Sequence, residues 1–283
     1  MLKILGFLIV IGSVFGGYVL SHGELLTLWQ PFELLIICGA AFGAFVVSNS
    51  VSIIKATFRE TASVMMGKQP SKAQFMDLLT LLYELFNKSR RSGLMAIEED
   101  IEAPEESEIF IRFPQILADD RVRDFICDYM RIVTTGNLSV FELETLMDQD
   151  IETTFQELEQ PSASLSRVAD ALPGFGIVAA VLGIVITMKS LGGAPEELGY
   201  HVAAALVGTF LGVLLAYGFV GPMSIAMEHA AREKVKALEC VKTTLLANVN
   251  GIPPQLAVEF GRKTLYSEVR PSFSELEDHL RGR

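Results

Sequence analysis

Four long segments of the chain contain no Asp, Glu, Lys or Arg; they are residues 4–23, 34–54, 171–188 and 200–227. An α-helix needs about 20 apolar residues to cross the hydrocarbon core of a bilayer. Each segment reaches about that length. The pattern therefore predicts four transmembrane helices, of which the first three fill their segments and the fourth spans about 200–222.

Basic residues are distributed unequally among the segments that connect the four spans. The loops at 21–33 and 191–199 contain none of the 23 Lys and Arg residues, whereas every other connecting segment carries several. Basic loops remain on the cytoplasmic side of a membrane. The distribution therefore predicts that these two loops lie outside and that both termini lie in the cytoplasm.

Apolar residues also recur at helical spacing outside the spans, and no alternating strand pattern is visible. The spacing predicts helices around 75–86, around 122–133 with an end near Gly136, and around 141–158 with an end at Pro161. After the fourth span another helix continues to Gly251. The polar tail that follows is expected to wrap loosely around the rest.

The predicted fold is therefore all-α, a polytopic membrane protein with four transmembrane helices and a helical cytoplasmic domain. Residues 1–54 form a transmembrane hairpin, and residues 55–168 form the cytoplasmic domain. Residues 169–227 hold the third and fourth spans, and residues 228–283 form a cytoplasmic helix and the tail.

Composition agrees with a membrane protein that has a large soluble part, since 50% of the residues are hydrophobic and the mean hydropathy is +0.39. Residues 55–168 hold 21 Asp and Glu against 12 Lys and Arg. Neutralising phosphates requires a basic surface, so this acidic segment argues against nucleic acid as a partner. The three cysteines are far apart and form no CxxC pair, which indicates neither a disulfide framework nor a metal site.

The cores of the four spans contain no ionisable residue, because Asp170, Lys189 and His201 all lie at predicted span ends. Charges inside a membrane usually mark ion relays. If this chain moves ions, a partner must supply the carboxylate. The alternative is a scaffold that moves nothing, and this feature alone favours the scaffold.

Small residues recur at four-residue spacing in every span: Gly12/Gly16, Gly39/Gly43, Ala179/Gly183 and Gly208/Gly212. In lipid, such pairs let helix backbones approach closely, because packing rather than water exclusion drives association. For any one pair, packing within the chain is the ordinary interpretation. Four pairs together also favour an oligomer.

Two prolines lie near one predicted membrane face, Pro173 at the start of the third span and Pro222 at the end of the fourth. Each removes a backbone hydrogen bond, so each allows a hinge between a span and the cytoplasmic part. The alternative is a passive kink. In the cytoplasmic part, the basic run at 88–91 precedes Gly93 and the acidic run at 98–102 follows it; most such runs are solvated faces.

These features occur in the order found in the flagellar motor stator family of MotA-like proteins, within the wider MotA/TolQ/ExbB group. The chain resembles this family over nearly its whole length. The matching motifs lie at residues 16–18, 30–34, 88–90, 98–102, 171–183, 257–264 and 269–273.

The resemblance implies a homo-oligomer in the bacterial inner membrane, a pentameric ring around a dimer of the single-span partner MotB, which anchors to peptidoglycan. A membrane aspartate of MotB would be the ion carrier that this chain lacks. Ion flow would then move the ring, whose cytoplasmic domains would push on the rotor protein FliG. The resemblance implies no catalytic residue and no cofactor.

The resemblance also implies roles for particular residues. Arg90 and Glu98 match the charged positions that contact the rotor, and Pro173 and Pro222 match the prolines that couple ion flow to motion. Asp170 would lie at the cytoplasmic mouth of the ion path.

By the same resemblance two further positions, Ala180 and Thr209, would line the ion path, and they bear on the coupling ion. Sodium-driven relatives carry a Thr hydroxyl on both the third and the fourth span, whereas this chain has Ala180 on the third and Thr209 on the fourth. Sodium needs several oxygen ligands, and a proton needs only the partner carboxylate. The resemblance therefore predicts a proton-driven motor. The alternative is that Ala180 merely packs and sodium finds its ligands elsewhere.

The sequence leaves three alternative functions open. The TolQ/ExbB branch energises outer-membrane processes, but its members have three spans and this chain has four predicted spans. A secondary transporter would ordinarily show repeated halves and helices broken at the membrane midplane, and neither is visible in the sequence. A membrane scaffold is the remaining alternative.

Overall fold

The computed structural model describes residues 2–67, 70–189 and 195–281, and every regular element within those ranges is helical. Four of its helical stretches are long and apolar enough to cross a membrane; they are Leu2–Leu20, Leu25–Ser48, Val140–Met188 and Val202–Val249. The predicted all-α fold with four transmembrane helices is therefore confirmed. Part of the loop predicted at 191–199, up to residue 194, lies outside the described residues.

The described ranges contain twelve α-helices. They are α1 (Leu2–Leu20), α2 (Pro31–Ser48), α3 (Val51–Met65), α4 (Lys72–Ser92), α5 (Glu98–Glu102), α6 (Pro114–Leu117), α7 (Asp120–Thr135), α8 (Val140–Lys189), α9 (Pro195–Leu215), α10 (Gly221–Val249), α11 (Pro254–Thr264) and α12 (Phe273–Arg281). A π-helical turn, Ala216–Val220, joins α9 to α10.

The chain divides into two compact units. The first, which we call the membrane unit, consists of Met1–Lys68 and Leu158–Ala230; the second, the acidic unit, consists of Gln69–Glu157 and Ala231–Arg283. The membrane unit extends past the predicted domain limits at residues 54, 168 and 227. One reason is that Val64 of α3 packs into a buried cluster with side chains of α10.

The second transmembrane helix is displaced from the predicted span at 34–54, because α2 begins at Pro31 and ends at Ser48. Proline suits the first position of a helix, where its missing N–H has no partner to lose. At the other end, the Asn49 side chain donates to the Phe45 carbonyl at 2.7 Å and accepts from Ser164 Oγ at 2.7 Å. Ser50 then caps α3 by accepting from the Ile53 N–H.

Helix α8 contradicts the predicted helix end at Pro161, since it runs from Val140 to Lys189 with Pro161 and Pro173 inside it. A proline inside a helix removes one hydrogen bond and bends the helix, and tertiary packing can outweigh that cost. Here Pro161 is buried and Ser162, the residue after it, donates its hydroxyl to the Glu159 carbonyl at 2.8 Å. The packing around Pro161 keeps the helix continuous.

Helices α8 and α9 make backbone-to-backbone contact in the membrane unit. A methyl group added at Gly212 would lie 2.7 Å from the Leu172 carbonyl oxygen and 2.9 Å from Gly176 Cα, and one at Gly208 would lie 3.2 Å from Ala179 Cβ. The predicted packing of Ala179/Gly183 and Gly208/Gly212 is therefore confirmed, with both pairs used inside the chain. Gly176, which the four-residue spacing missed, belongs to the same contact.

The glycine pairs of the first hairpin behave differently. A methyl group added at Gly12, Gly16, Gly39 or Gly43 would meet no atom within 4 Å. Close packing against these glycines is therefore not used within the described part of the chain.

In the acidic unit, α4 and α7 confirm the helices predicted around 75–86 and 122–133. A capping box between Ser71 and Gln74 begins α4, with two reciprocal hydrogen bonds. Helix α7 ends at Gly136, which has φ +67°, a conformation that glycine adopts without strain.

The expectation of a loose tail is wrong, because the segment from residue 254 forms α11 and α12 and packs into the acidic unit. Ala257, Val258 and Leu276 are 0–1% exposed. Arg262 is also buried and donates to the Pro271 carbonyl at 3.0 Å, while Lys72 and Glu275 form an ion pair at 2.7 Å. Apolar residues at helical spacing, hidden among many charges, account for the docking.

The α8–α9 contact yields a stability prediction. Replacing Gly212 by Ala places a methyl group against backbone atoms that cannot rotate away, so we expect a loss of roughly 1–3 kcal/mol in the free energy of unfolding. Gly174→Ala on α8 is the matched control, because nothing lies within 4 Å of the added methyl. Thermal unfolding of the purified protein in detergent measures both. Equal melting temperatures for the two variants would contradict the close contact.

Candidate functional site

The two charged runs flanking Gly93 do not form one exposed charged surface, because some of their residues form ion pairs and hydrogen bonds within the chain. Asp100 is only 4% exposed and accepts from Lys88 Nζ at 2.6 Å and from Ser107 Oγ at 2.6 Å. The Ser107 hydroxyl accepts in turn from the Ile109 and Phe110 N–H groups. A buried carboxylate must be paired and hydrogen-bonded to be tolerated. Lys88 and Asp100 therefore fix the turn between α4 and the segment that follows.

A second ion pair fixes the other end of the acidic run. Arg131 of α7 donates to Glu102 at 2.6 Å and to the Ile101 carbonyl at 2.8 Å, and it also pairs with Asp128 at 2.7 Å. The hydrogen bond to Glu102 and the nearby carboxylates raise the pKa of Arg131. Sequence spacing alone did not identify these partners. The only signal was the apolar pair Ile97 and Ile101, which marks one side of the run as buried.

The two residues predicted to contact the rotor, Arg90 and Glu98, remain on the surface. Both side chains are exposed, and neither forms an ion pair with any residue in the described ranges. Arg90 lines a cavity of about 440 Å³ together with Leu94, Leu138 and Ile252. The structure therefore separates charges that hold the fold from charges that are free to contact a partner.

Glu98 lies in a separate shallow pocket of about 380 Å³, which Met95 and Glu99 also line. Beside these charges, Leu94 is 42% exposed and Met95 is 74% exposed. Exposed apolar side chains next to unpaired charges of both signs suit a protein partner, because the charges orient the encounter and the apolar groups are buried by it.

In the membrane unit, Pro173 lies inside α8 and is half-buried, while Asp170 is exposed one turn earlier. Pro173 has no N–H, so the Ala169 carbonyl loses its usual helical donor. The next carbonyl oxygens are close to the α8–α9 contact, since that of Leu172 lies against Gly212. The proline therefore weakens α8 just before the point where it is held most tightly.

Pro222 lies one residue after the start of α10, directly after the π-helical turn. Because it lacks an N–H, the Gly218 carbonyl has no donor four residues later. The preceding Gly221 N–H donates to the Ala216 carbonyl, five residues back. π-Helical turns inside α-helices are frequent at functional sites. Neither the spacing of apolar residues nor the Gly-Pro pair predicted this turn.

The structure brings the neighbourhoods of the two prolines together. A methyl group added at Gly221, next to Pro222, would lie 3.9 Å from Ala169 Cβ, which is one turn before Pro173. Helices α8 and α10 thus each lack a hydrogen bond at the level where they touch. Such an arrangement can change its bend with little loss of packing.

Ala180 and Thr209 both lie at the α8–α9 contact. A methyl group on Gly208 would lie 3.3 Å from the Ala180 nitrogen, and one on Gly176 would lie 3.3 Å from Thr209 Cα. Both residues are half-buried. The two positions predicted to line the ion path therefore lie on neighbouring helices at one crossing.

Two family models match this chain. That of the motility protein A N-terminal family matches residues 4–93, and that of the MotA/TolQ/ExbB proton channel family matches residues 119–240. The two matched segments include Arg90, both prolines, Ala180 and Thr209.

Full-length relatives agree with the family models. Motility protein A of Salmonella typhimurium is 52% identical over 282 residues, which cover 100% of this chain and 96% of that protein. In fold, the chain is similar to the structure of C. jejuni MotAB, with a TM-score of 0.76, 21% identity and coverage of 95% and 97%. It is also similar to the flagellar MotAB stator complex from Bacillus subtilis, with a TM-score of 0.70, 20% identity and coverage of 99% and 98%. The chain belongs to the motility protein A family, within the MotA/TolQ/ExbB proton channel family.

Proposed function

We propose that this protein is the stator subunit of a bacterial flagellar motor, and that with a MotB-like partner it converts proton flow into torque on the rotor protein FliG. The observation that carries the proposal is the full-length relationship to motility protein A. The arrangement of the membrane unit supports it, because two weakened helices touch beside the residues predicted to line the ion path.

The family and the four apolar helices make this a multi-pass inner-membrane protein. Its orientation is part of the proposal: both termini lie in the cytoplasm, because basic residues are missing from the loops at 21–33 and 191–199. The acidic unit, which holds Arg90 and Glu98, then faces the cytoplasm. That is the side on which a rotor can be reached.

The partner supplies the ion carrier in this proposal. No Asp, Glu, Lys or Arg lies within residues 171–188 or 200–227, so a carboxylate at the membrane midplane must come from another chain. A single-span, peptidoglycan-anchored MotB-like subunit with a membrane aspartate meets this need. Anchoring also gives the motor a fixed point against which torque can act.

Several copies of this chain, five in our proposal, would surround a dimer of that partner. Helix α1 has no buried residue within the chain, and the glycines of α1 and α2 have free space around them. In lipid, such glycines let further helices approach closely. An assembly would therefore cover surfaces that the single chain leaves open.

The coupling step follows from the geometry of the prolines. Protonation of the partner aspartate, lying against the α8–α9 crossing, would remove a charge and change the preferred bend of both helices. Because hydrogen bonds are missing at Pro173 and Pro222, bending the helices there requires little free energy. Because α8 and α10 continue as helices beyond these points, their movement would be passed on to the acidic unit.

The closest alternative function is that of the TolQ/ExbB branch, since one matching family model includes it. The match of residues 4–93 to the motility protein A N-terminal family favours the motor instead. A pure scaffold has no need for two weakened helices that touch at one level.

The rotor contact yields a first test. Reversing both charges, with Arg90→Glu and Glu98→Lys together, should abolish most of the swimming torque, while each single change has a mild effect. An exposed ion pair contributes only about 0–1 kcal/mol. We therefore expect the motor to tolerate the loss of one ion pair with the rotor but not the loss of both. Torque is measured from tethered cells, with membrane levels of the protein checked by immunoblot.

The matched control for that test reverses two other exposed charges of the acidic unit, with Arg121→Glu and Glu105→Lys. Partial rescue of the first double variant by charge reversal on FliG would identify the partner. Equal torque in the two double variants would reduce Arg90 and Glu98 to solvated side chains.

The prolines yield a second test. Pro173→Ala or Pro222→Ala restores a helical hydrogen bond and stiffens the helix, so we expect normal insertion and partner binding but severely reduced rotation. Pro161→Ala is the matched control, because Pro161 lies in the same continuous helix away from the α9 contact. Motor speed is recorded for all three variants. If all three rotate like the wild type, the prolines are passive kinks.

Ion conduction yields a third test. Expressed alone in proteoliposomes the chain should conduct no ions, and with a MotB-like partner that lacks its plug it should conduct protons. Sodium should not replace protons, because Ala180 offers no oxygen ligand beside Thr209. Proton flux is followed with a pH-sensitive dye and sodium flux with ²²Na⁺. Large conductance from the chain alone, or swimming that stops when sodium is withdrawn, would overturn the proposal.

A further inference from the structure

The membrane unit contains a cavity of about 440 Å³ that has no role in the proposed motor mechanism. Helices α1, α2, α3 and α8 surround it together with the π-helical turn. Its wall includes Phe7, Ala41, Phe45, Thr57, Leu172 and Phe219. A volume of this size lies in the range of cavities that bind small molecules.

The wall of this cavity offers almost nothing to a polar occupant. The two hydroxyl groups that line it already donate within their own helix, Thr57 Oγ1 to the Ile53 carbonyl at 2.8 Å and Thr61 Oγ1 to the Thr57 carbonyl at 2.7 Å. A buried water needs two to four polar partners, which these residues do not supply. The occupant is therefore apolar where it lies inside.

Cations lie on the helix that closes one side of the cavity. Lys55, Phe58 and Arg59 stand at positions i, i+3 and i+4 of α3, so they share one face, and all three are exposed. Phe58 is 61% exposed and also lines the cavity, so this face reaches its mouth. The nearest acid on the helix is Glu60, 3.7 Å from Arg59.

A third cation is held near the same helix. Lys3 of α1 donates to the Val64 carbonyl in the last turn of α3 at 3.0 Å. Phe7, one turn further along α1, lines the cavity. An amphipathic helix with Lys and Arg beside an aromatic side chain is typical of a membrane surface with anionic lipids.

We propose that this cavity binds one acyl chain of an anionic phospholipid, whose phosphate lies against Lys55 and Arg59. An unbranched apolar chain with a negative head satisfies both the dry wall and the basic face. A helix from a second copy is about 10 Å wide and would not enter a space of this volume. The inference rests on the membrane placement in the proposed function but not on torque or ion flow.

The test measures lipid that remains bound to the full-length chain. The protein is extracted from nanodiscs made of phosphatidylethanolamine and phosphatidylglycerol and examined by native mass spectrometry. We expect one retained phospholipid per chain, with phosphatidylglycerol preferred. Ala41→Leu fills the cavity and should abolish retention, whereas Ala44→Leu, on the exposed side of the same helix, should not.

A second variant leaves the packing untouched. Lys55→Gln combined with Arg59→Gln should remove the preference for phosphatidylglycerol, and Arg121→Gln combined with Lys263→Gln, which neutralises two exposed cations of the acidic unit, should keep it. Equal retention by Ala41→Leu and Ala44→Leu, or no retained lipid in the wild type, would overturn the proposal. So would weaker subunit association in Ala41→Leu with no lipid released, which would assign the cavity to a second copy. If the protein still drives rotation when one of these outcomes is found, the lipid proposal fails and the proposed motor function is unaffected.

Discussion

The contact between α8 and α9 is the constraint on which the rest of the membrane unit depends. At Gly176, Gly208 and Gly212 the two backbones meet without side chains between them. In lipid, close packing of this kind supplies much of the association energy, because there is no water to exclude. The contact fixes the relative height of the two helices. It thereby sets Ala180 against Gly208 and Thr209 against Gly176, one turn apart along the contact.

A tight crossing would be rigid if the helices that continue from it were fully hydrogen-bonded, and here they are not. Pro173 removes a donor in α8, and Pro222 removes one in α10, directly after the π-helical turn that follows α9. The helices are thus held where they touch and weakened just beyond. Such an arrangement allows a small change at the crossing to alter the direction of the helix beyond it.

Much of the membrane part could be predicted from the sequence because a bilayer imposes a simple rule on length and polarity. All four spans were found, and the packing of Gly208/Gly212 followed from spacing alone. The limits of α2 were displaced because Asn49 ends the helix through a bond to Ser164, which is 115 residues away in the sequence. The spacing of apolar residues depends only on residues close in sequence, so it cannot predict a helix end that a distant residue determines.

Two incorrect predictions, the helix end at Pro161 and the loose tail, share one physical cause. In both, tertiary contacts outweigh a local signal in the sequence. Pro161 predicts a helix end, but tertiary packing keeps α8 continuous. The polar composition of the tail predicts a loose segment, yet Ala257 and Val258 lie on one face of α11 and are fully buried. The π-helical turn has no pattern in the sequence beyond the nearby Gly221 and Pro222.

The charged runs show why a candidate interface needs a structure to be defined. In the sequence Lys88 and Asp100 are equivalent to Arg90 and Glu98. In the structure Asp100 is buried and paired with Lys88, whereas Arg90 and Glu98 are exposed. The ion pair of Lys88 with the buried Asp100 fixes the turn at Gly93, and it therefore determines where Arg90 and Glu98 lie on the surface. Breaking a buried pair leaves an uncompensated charge, whereas an exposed charge can be changed at little cost to the fold. The acidic unit therefore uses its buried carboxylate to hold the turn, whereas Arg90 and Glu98, which form no ion pair in the described part of the chain, can be changed without loss of the turn.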